Sequence, residues 1–295
     1  MSAVRTGTER FSLNQATIKR ADLAATIDHA VAAGVGAVGL WRDRVAEAGL
    51  SEAAARLADS GLRFSSLCRG GFVTDPGTAD DQWKENLRAL DDTAALAEAG
   101  APGSAPVLVL VLGGLPPGDR DLAAARERVR AALRRLAPEA RARGVRLGVE
   151  PMHPMFCADR AVVSTLGQAL DLVADLDPET VGVVVDTYHV WWDPQVLPMI
   201  ARAGAEGRIV SYQVCDWLTP IPEGALLGRG LPGEGHVDFA SLNRAVEATG
   251  YRGDVEIEVI HQRVWDAPFA DVVRDCVRAF GEVISPHLTP PARRA

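Results

Sequence analysis

Short apolar runs of strand length alternate along the chain with longer Ala-, Leu- and Arg-rich stretches of helical period. The runs are FSLNQATI (11–18), VGAVGLW (35–41), LRFSSLC (62–68), APVLVLVLGG (105–114), VRLGVEP (145–151), VGVVVDTYH (181–189), RIVSYQVCDW (208–217) and DVEIEVI (254–260). Between and after them the hydrophobic repeat predicts helices over about 21–33, 43–60, 79–99, 119–143, 166–176, 194–204, 238–249 and 267–284. Val and Ile collect in the first class and Ala and Leu in the second, so propensity agrees with length. Gly closes AAG (32–34), DSG (59–61), EAG (98–100) and ATG (248–250), where a left-handed helix cap is expected.

Eight strand–helix units in unbroken alternation call for a parallel sheet covered by helices, and eight units close into a single (β/α)8 barrel. The rival is a doubly wound open sheet. It is disfavoured because NQATIKRAD, after the first run, contains no glycine with which to cradle a nucleotide phosphate. One domain over 1–295 is expected, with SPHLTPPARRA (285–295) as a frayed tail.

Composition narrows the function classes. Hydrophobic residues make up 47% and charged residues 24%, which suits a globular protein with a sizeable core. A net charge of −8 without an internal basic block argues against a nucleic-acid partner. Cys68, Cys157, Cys215 and Cys276 lie far apart with no CxxC pair, so neither a zinc cluster nor a disulfide framework is indicated. MSAVRTGTERF lacks the apolar core of a secretory signal, and no run reaches the ~18 apolar residues of a membrane span. A soluble cytoplasmic protein is the expectation.

In such a barrel the active site lies at the C-terminal ends of the strands. The fifth run ends in Glu150, the sixth in Asp186, the seventh carries Gln213 near its end, and the eighth carries Glu258. Three carboxylates converging on one mouth repel each other unless a cation offsets them. An all-oxygen set points to a hard divalent ion, Mn²⁺ first, with Mg²⁺ or Co²⁺ as alternatives and Zn²⁺ less suited. Glu256 and Glu258 share a face of the last strand, so only one can stand at the rim. Glu258, the later, is the expected one, and Glu256 is left as a deeper paired charge or a residue near the barrel bottom.

GVEP (148–151), DTYH (186–189), GRGLPGEGHVDF (228–239) and IEV (257–259), in that order, resemble the xylose-isomerase-like barrels of sugar and sugar-phosphate isomerases and epimerases. The resemblance implies Glu150, Asp186, Gln213 and Glu258 as metal ligands, His189 on a substrate oxygen and Arg229 over the mouth. Two positions depart from the family pattern. Gln213 stands where the family usually has His, and Phe156 stands about where ketose epimerases carry an additional Glu. His153, three residues past Glu150, is a candidate base or a loop cap. Trp191 and Trp217, with Trp41 and Trp192, offer flat faces for a sugar or act as hydrophobic lids.

The expected chemistry is proton abstraction beside a carbonyl, through a metal-stabilised enediolate, with Glu150 and Glu258 as the acid–base pair and His153 as the competing base. Isomerisation or epimerisation of a small-molecule sugar follows. The alternatives are elimination from a 3-keto glycoside, as in C-glycoside-cleaving relatives, and a non-catalytic sugar-binding accessory subunit. A homo-oligomer or a partner subunit is compatible with either enzyme.

Overall fold

The computed structural model describes residues 8–289. Eight parallel strands close on themselves: β1 (Phe11–Asn14), β2 (Ala37–Trp41), β3 (Arg63–Gly71), β4 (Val107–Val111), β5 (Arg146–Val149), β6 (Val181–Asp186), β7 (Ile209–Val214) and an eighth, Val255–Ile257. The seam is closed by the eighth strand pairing with β1, Phe11 opposite Val255 and Leu13 opposite Ile257. The single (β/α)8 barrel is therefore the fold. Among the described residues no helix is long and apolar enough to cross a membrane.

Alternation along each strand sorts the side chains. Outward residues such as Leu13, Leu40, Phe64, Leu108, Leu147, Val183, Tyr212 and Ile257 are buried under the helices in one continuous core. The barrel interior is divided. One side is filled by a small apolar cluster, Val107, Val109, Val184 and Val210. The other is polar, with Ser12, Asn14, Ser65, Ser66, Gln213 and Glu256 all buried.

Several expected boundaries move, each for a local reason. The run 11–18 ends as a strand at Asn14, whose side chain accepts from the Ala16 amide and turns Gln15–Ile18 into a 3-10 turn. The run 181–189 ends at Asp186, which caps the helical turn α7 (Thr187–Val190) through the Tyr188 amide. The helix expected over 43–60 breaks at Gly49, with φ of 86°, into α2 (Arg42–Ala48) and α3 (Leu50–Ser60). The helix expected over 267–284 runs from Phe269 to Ala279 and widens into a π turn, Phe280–Ile284. Beyond Val214 the chain leaves the barrel, and Asp216–Trp217 pairs antiparallel with Arg229–Gly230.

Among the predicted glycine caps, Gly34, Gly61 and Gly250 have positive φ. Gly100 does not: its φ is −68°. Glycine is required there by crowding, since a Cβ would lie 2.3 Å from Ser104 Oγ. The segment expected as a tail begins with a 3-10 turn, Ser285–His287, and the Thr289 amide donates to Glu247 at 2.8 Å. Residues 290–295 lie outside the described part.

Gly39 faces the polar half of the interior, where a Cβ would sit 2.5 Å from the Glu256 carboxylate. That carboxylate is held from four sides and cannot swing away. Gly39→Ala is expected to lower stability by about 2 kcal/mol, read as a shifted denaturant midpoint with unchanged slope.

Candidate active site

Strand ends deliver the acidic residues to one place. Glu150 follows β5 directly, Asp186 is the last residue of β6, and Glu258 follows the eighth strand; their exposures are 5%, 1% and 4%. The turn capped by Asp186 brings His189 back over it, with Nε2 at 3.7 Å from Asp186 Oδ2. Glu150, Asp186 and His189 each offer a ligand atom within 4.8 Å of the others.

Arg229 enters from the short antiparallel ladder and is itself 2% exposed. Its Nη1 donates to Asp186 Oδ2 at 3.1 Å and to Glu258 Oε2 at 2.6 Å. Nη2 lies 3.1 Å from His189 Nε2, and the guanidinium rests over the Tyr188 ring at 4.7 Å. The loop that carries Arg229 folds around Asp216, whose carboxylate accepts from the amides of Trp217, Gly233, Gly235 and Val237. At Gly235 a Cβ would lie 2.2 Å from the Trp217 carbonyl oxygen, so this turn of GRGLPGEGHVDF needs glycine.

Asp186 and Glu258 share the Arg229 guanidinium, and Glu150 feels Arg229 and, from the neck, Arg69 without a direct ion pair to either. Burial, then Asp186 and Glu258, push the Glu150 carboxyl well above the usual range. Burial also raises Asp186 against the pull of Arg229. Glu258 is pushed up to about 7, burial outweighing Arg229. His189 is driven well down by burial and by Arg229, and is neutral. The His153 amide donates to His189 Nδ1 at 3.2 Å, while Nε2, facing the site, meets Arg229 Nη2 at 3.1 Å.

Gln213 lies one layer below the rim. Its Nε2 donates to Glu256 Oε1 at 3.1 Å, and Glu256 also accepts from Asn14, Ser65 and Ser66. Of the two acidic residues on the last strand, Glu258 is therefore at the mouth and Glu256 is the deeper, hydrogen-bonded one. His153 is placed differently from the carboxylates. Its ring stacks against Trp217 at 4.8 Å and meets the edge of Trp192 at 5.4 Å, while its Nδ1 caps the turn at Met155. Trp191 leans on Trp217 at 5.7 Å, and Trp217 stacks on Tyr188 at 4.7 Å. This aromatic group buttresses the His189 side of the site; the cavity above the carboxylates is walled by Trp41 and Trp265.

Sequence reading did not single out Asp216, although CDW straight after a strand is a signal for such an anchor. It also passed over Lys19, Arg69 and Arg160, which line the mouth from three separate segments. Nothing in the spacing of those three links them.

A closed eight-stranded barrel with acidic strand ends around an arginine defines a class of protein. The chain belongs to the xylose isomerase-like TIM barrel family, which it matches over residues 27–279. A Sinorhizobium meliloti protein of known crystal structure is 40% identical, with a TM-score of 0.89 over 94% of this chain and 99% of that one. The zinc-bound structure of the IolI protein superposes with a TM-score of 0.79 over 95% of this chain and all of that one; at 18% identity the likeness concerns the fold. Among curated relatives, the 3-dehydroshikimate dehydratase of Pseudomonas aeruginosa is 30% identical over 46% of this chain and 21% of its own length. The inosose isomerase of Halalkalibacterium halodurans is 23% identical over 53% of this chain and 54% of its own. The matched region thus spans about a fifth of the dehydratase and about half of the isomerase.

The raised carboxyl groups make a pH prediction for chelator-treated protein. Glu258 binds its proton more tightly folded than unfolded, so stability is greatest below the unfolded value near 4.5 and falls as pH rises to about 7. The melting temperature should drop by on the order of 5 °C across that window, and Glu258→Gln should flatten the slope.

Proposed function

We propose that the protein is a divalent-metal-dependent sugar isomerase or epimerase that removes a proton from the carbon beside a carbonyl. The observation that carries this reading is the convergence of three buried carboxylates around Arg229 at the mouth. Such a donor set fits a hard divalent cation. Glu150, Asp186, Gln213 and Glu258 would hold it, Mn²⁺ being the first choice. Gln213, whose Nε2 donates to Glu256, would take part through Oε1. When bound, the ion would offset the carboxylate charge and polarise the substrate carbonyl and the neighbouring hydroxyl.

The remaining work belongs to this chain's own residues. Glu150 and Glu258 form the acid–base pair: one takes the proton from carbon and the other returns it at the neighbouring or opposite position. His189 stands beside the proposed ligand set, its Nδ1 accepting from the His153 amide and its Nε2 edge, next to Arg229, turned toward a substrate oxygen. Arg229 holds Asp186 and Glu258 in place from the side.

A second reading, β-elimination from the same enolate, is favoured by the dehydratase relatives, since loss of water is an elimination. It needs one base and a leaving group β to the carbonyl. His153, within its tryptophan stack, contributes to it less directly than Glu150.

Mn²⁺-loaded protein in D₂O should incorporate deuterium beside the carbonyl of free ketoses without fragmentation. Release of aglycone or water from a β-substituted ketone would instead establish elimination, and silence in both with tight sugar binding would overturn an enzymatic role. Asp186→Asn should abolish Mn²⁺ binding by calorimetry and lower exchange by roughly 10³-fold or more.

A further inference from the structure

Outward from the carboxylates the mouth opens into a cavity of about 540 Å³ whose wall carries four cations, Lys19, Arg44, Arg69 and Arg160, against one acid, Asp43. The chain as a whole has a net charge of −8, so this wall is opposite in sign to the protein. The cations come from separate parts of the fold: the turn after β1, α2, the end of β3 and the connection between β5 and the helix Leu166–Val173. Arg69 and Arg160 also line the narrow neck of about 30 Å³ that reaches Glu150, Glu258 and Arg229. They therefore stand where the outer cavity meets the reacting groups.

These charges are only partly neutralised by neighbouring acids. Lys19 Nζ lies 4.6 Å over the Trp265 ring, and the Arg69 guanidinium lies 4.6 Å over Phe72; neither forms an ion pair among the described residues. Stacking on a ring uses the face of a guanidinium and leaves its N–H edge free. Arg160 is 3.7 Å from its chain neighbour Asp159, and Arg44 pairs with Glu47 at 2.6 Å. A cleft walled by one sign of charge concentrates and orients ligands of the other sign.

The mouth is thus bipolar, negative at its floor and positive at its neck and wall. The charge of that arrangement favours an anion over a neutral sugar. We propose that the substrate carries an anionic group, a carboxylate or a phosphate, held between Arg69 and Arg160 with Lys19 further out, while its carbonyl end reaches Glu150 and Glu258. This rests on the preceding reading that the carboxylates are the reacting end. The repulsion between the anion and those carboxylates would then fix which end of the molecule enters first.

Two matched pairs of probes test this by calorimetry: quinate against its primary amide for a carboxylate, and ribulose 5-phosphate against ribulose for a phosphate. In Mn²⁺-loaded protein at least one anion should bind about tenfold or more tightly than its neutral twin, with an advantage that shrinks as salt rises. Which pair shows it identifies the anionic group. Arg69→Gln, and independently Arg160→Gln, should erase the advantage without weakening Mn²⁺ affinity, titrated separately. Equal affinity within both pairs, including no measurable binding of any of the four, overturns the subsite, as does a preference that survives both substitutions. If Mn²⁺ fails to bind but the anion preference persists, the metal reading falls and the anion subsite stands.

Discussion

The structure depends on what is done with three carboxylates that have been taken out of water at the top of the barrel. Asp186 and Glu258 are tied together by one guanidinium nitrogen of Arg229, itself as buried as they are. Desolvating such a set is costly, and breaking it by removing one partner is typically worse, at about 3–5 kcal/mol. The loop that delivers Arg229 is accordingly built with care. Asp216 gathers four of its amides, and glycine occurs where the loop presses against the Trp217 carbonyl.

Below the rim a second buried acid is handled differently. Glu256 has no cation against it and is satisfied by neutral donors, the Asn14 and Gln213 amides and the Ser65 and Ser66 hydroxyls. Asn14 connects this layer to the mouth, since its Oδ1 accepts from the Trp41 indole at 2.9 Å. Gln213 and Glu256 are thus one feature, the amide of the one donating to the carboxylate of the other. Gly39 supplies the space that this arrangement needs.

Seen from outside, the mouth has two electrostatic halves. The strands from β5 onward contribute the carboxylates, whereas three of the four cations come from the connections and strand ends of β1 to β3. Aromatic surface divides likewise. Trp41 and Trp265 wall the open cavity, while Trp191, Trp192 and Trp217 pack with Tyr188 and His153 to hold the His189 turn.

The alternation of Val-rich runs with Ala- and Leu-rich stretches, with no glycine loop after the first run, was enough to favour the closed barrel over an open sheet, because hydrophobic period is a local property. The same local logic located Glu150, Asp186 and Glu258, since a carboxylate that follows a buried strand must emerge at its rim. Strand ends were less legible: Asn14 and Asp186 each stop a strand by capping the next turn with a side chain that apolar patterning does not weigh. Only the tertiary structure decided that Gln213 turns down to Glu256, that His153 and Trp217 stack on each other, and that Lys19, Arg69 and Arg160 share one wall. Those residues are brought together by barrel closure across large sequence separations, and side-chain direction at such meetings depends on neighbours that no local pattern encodes.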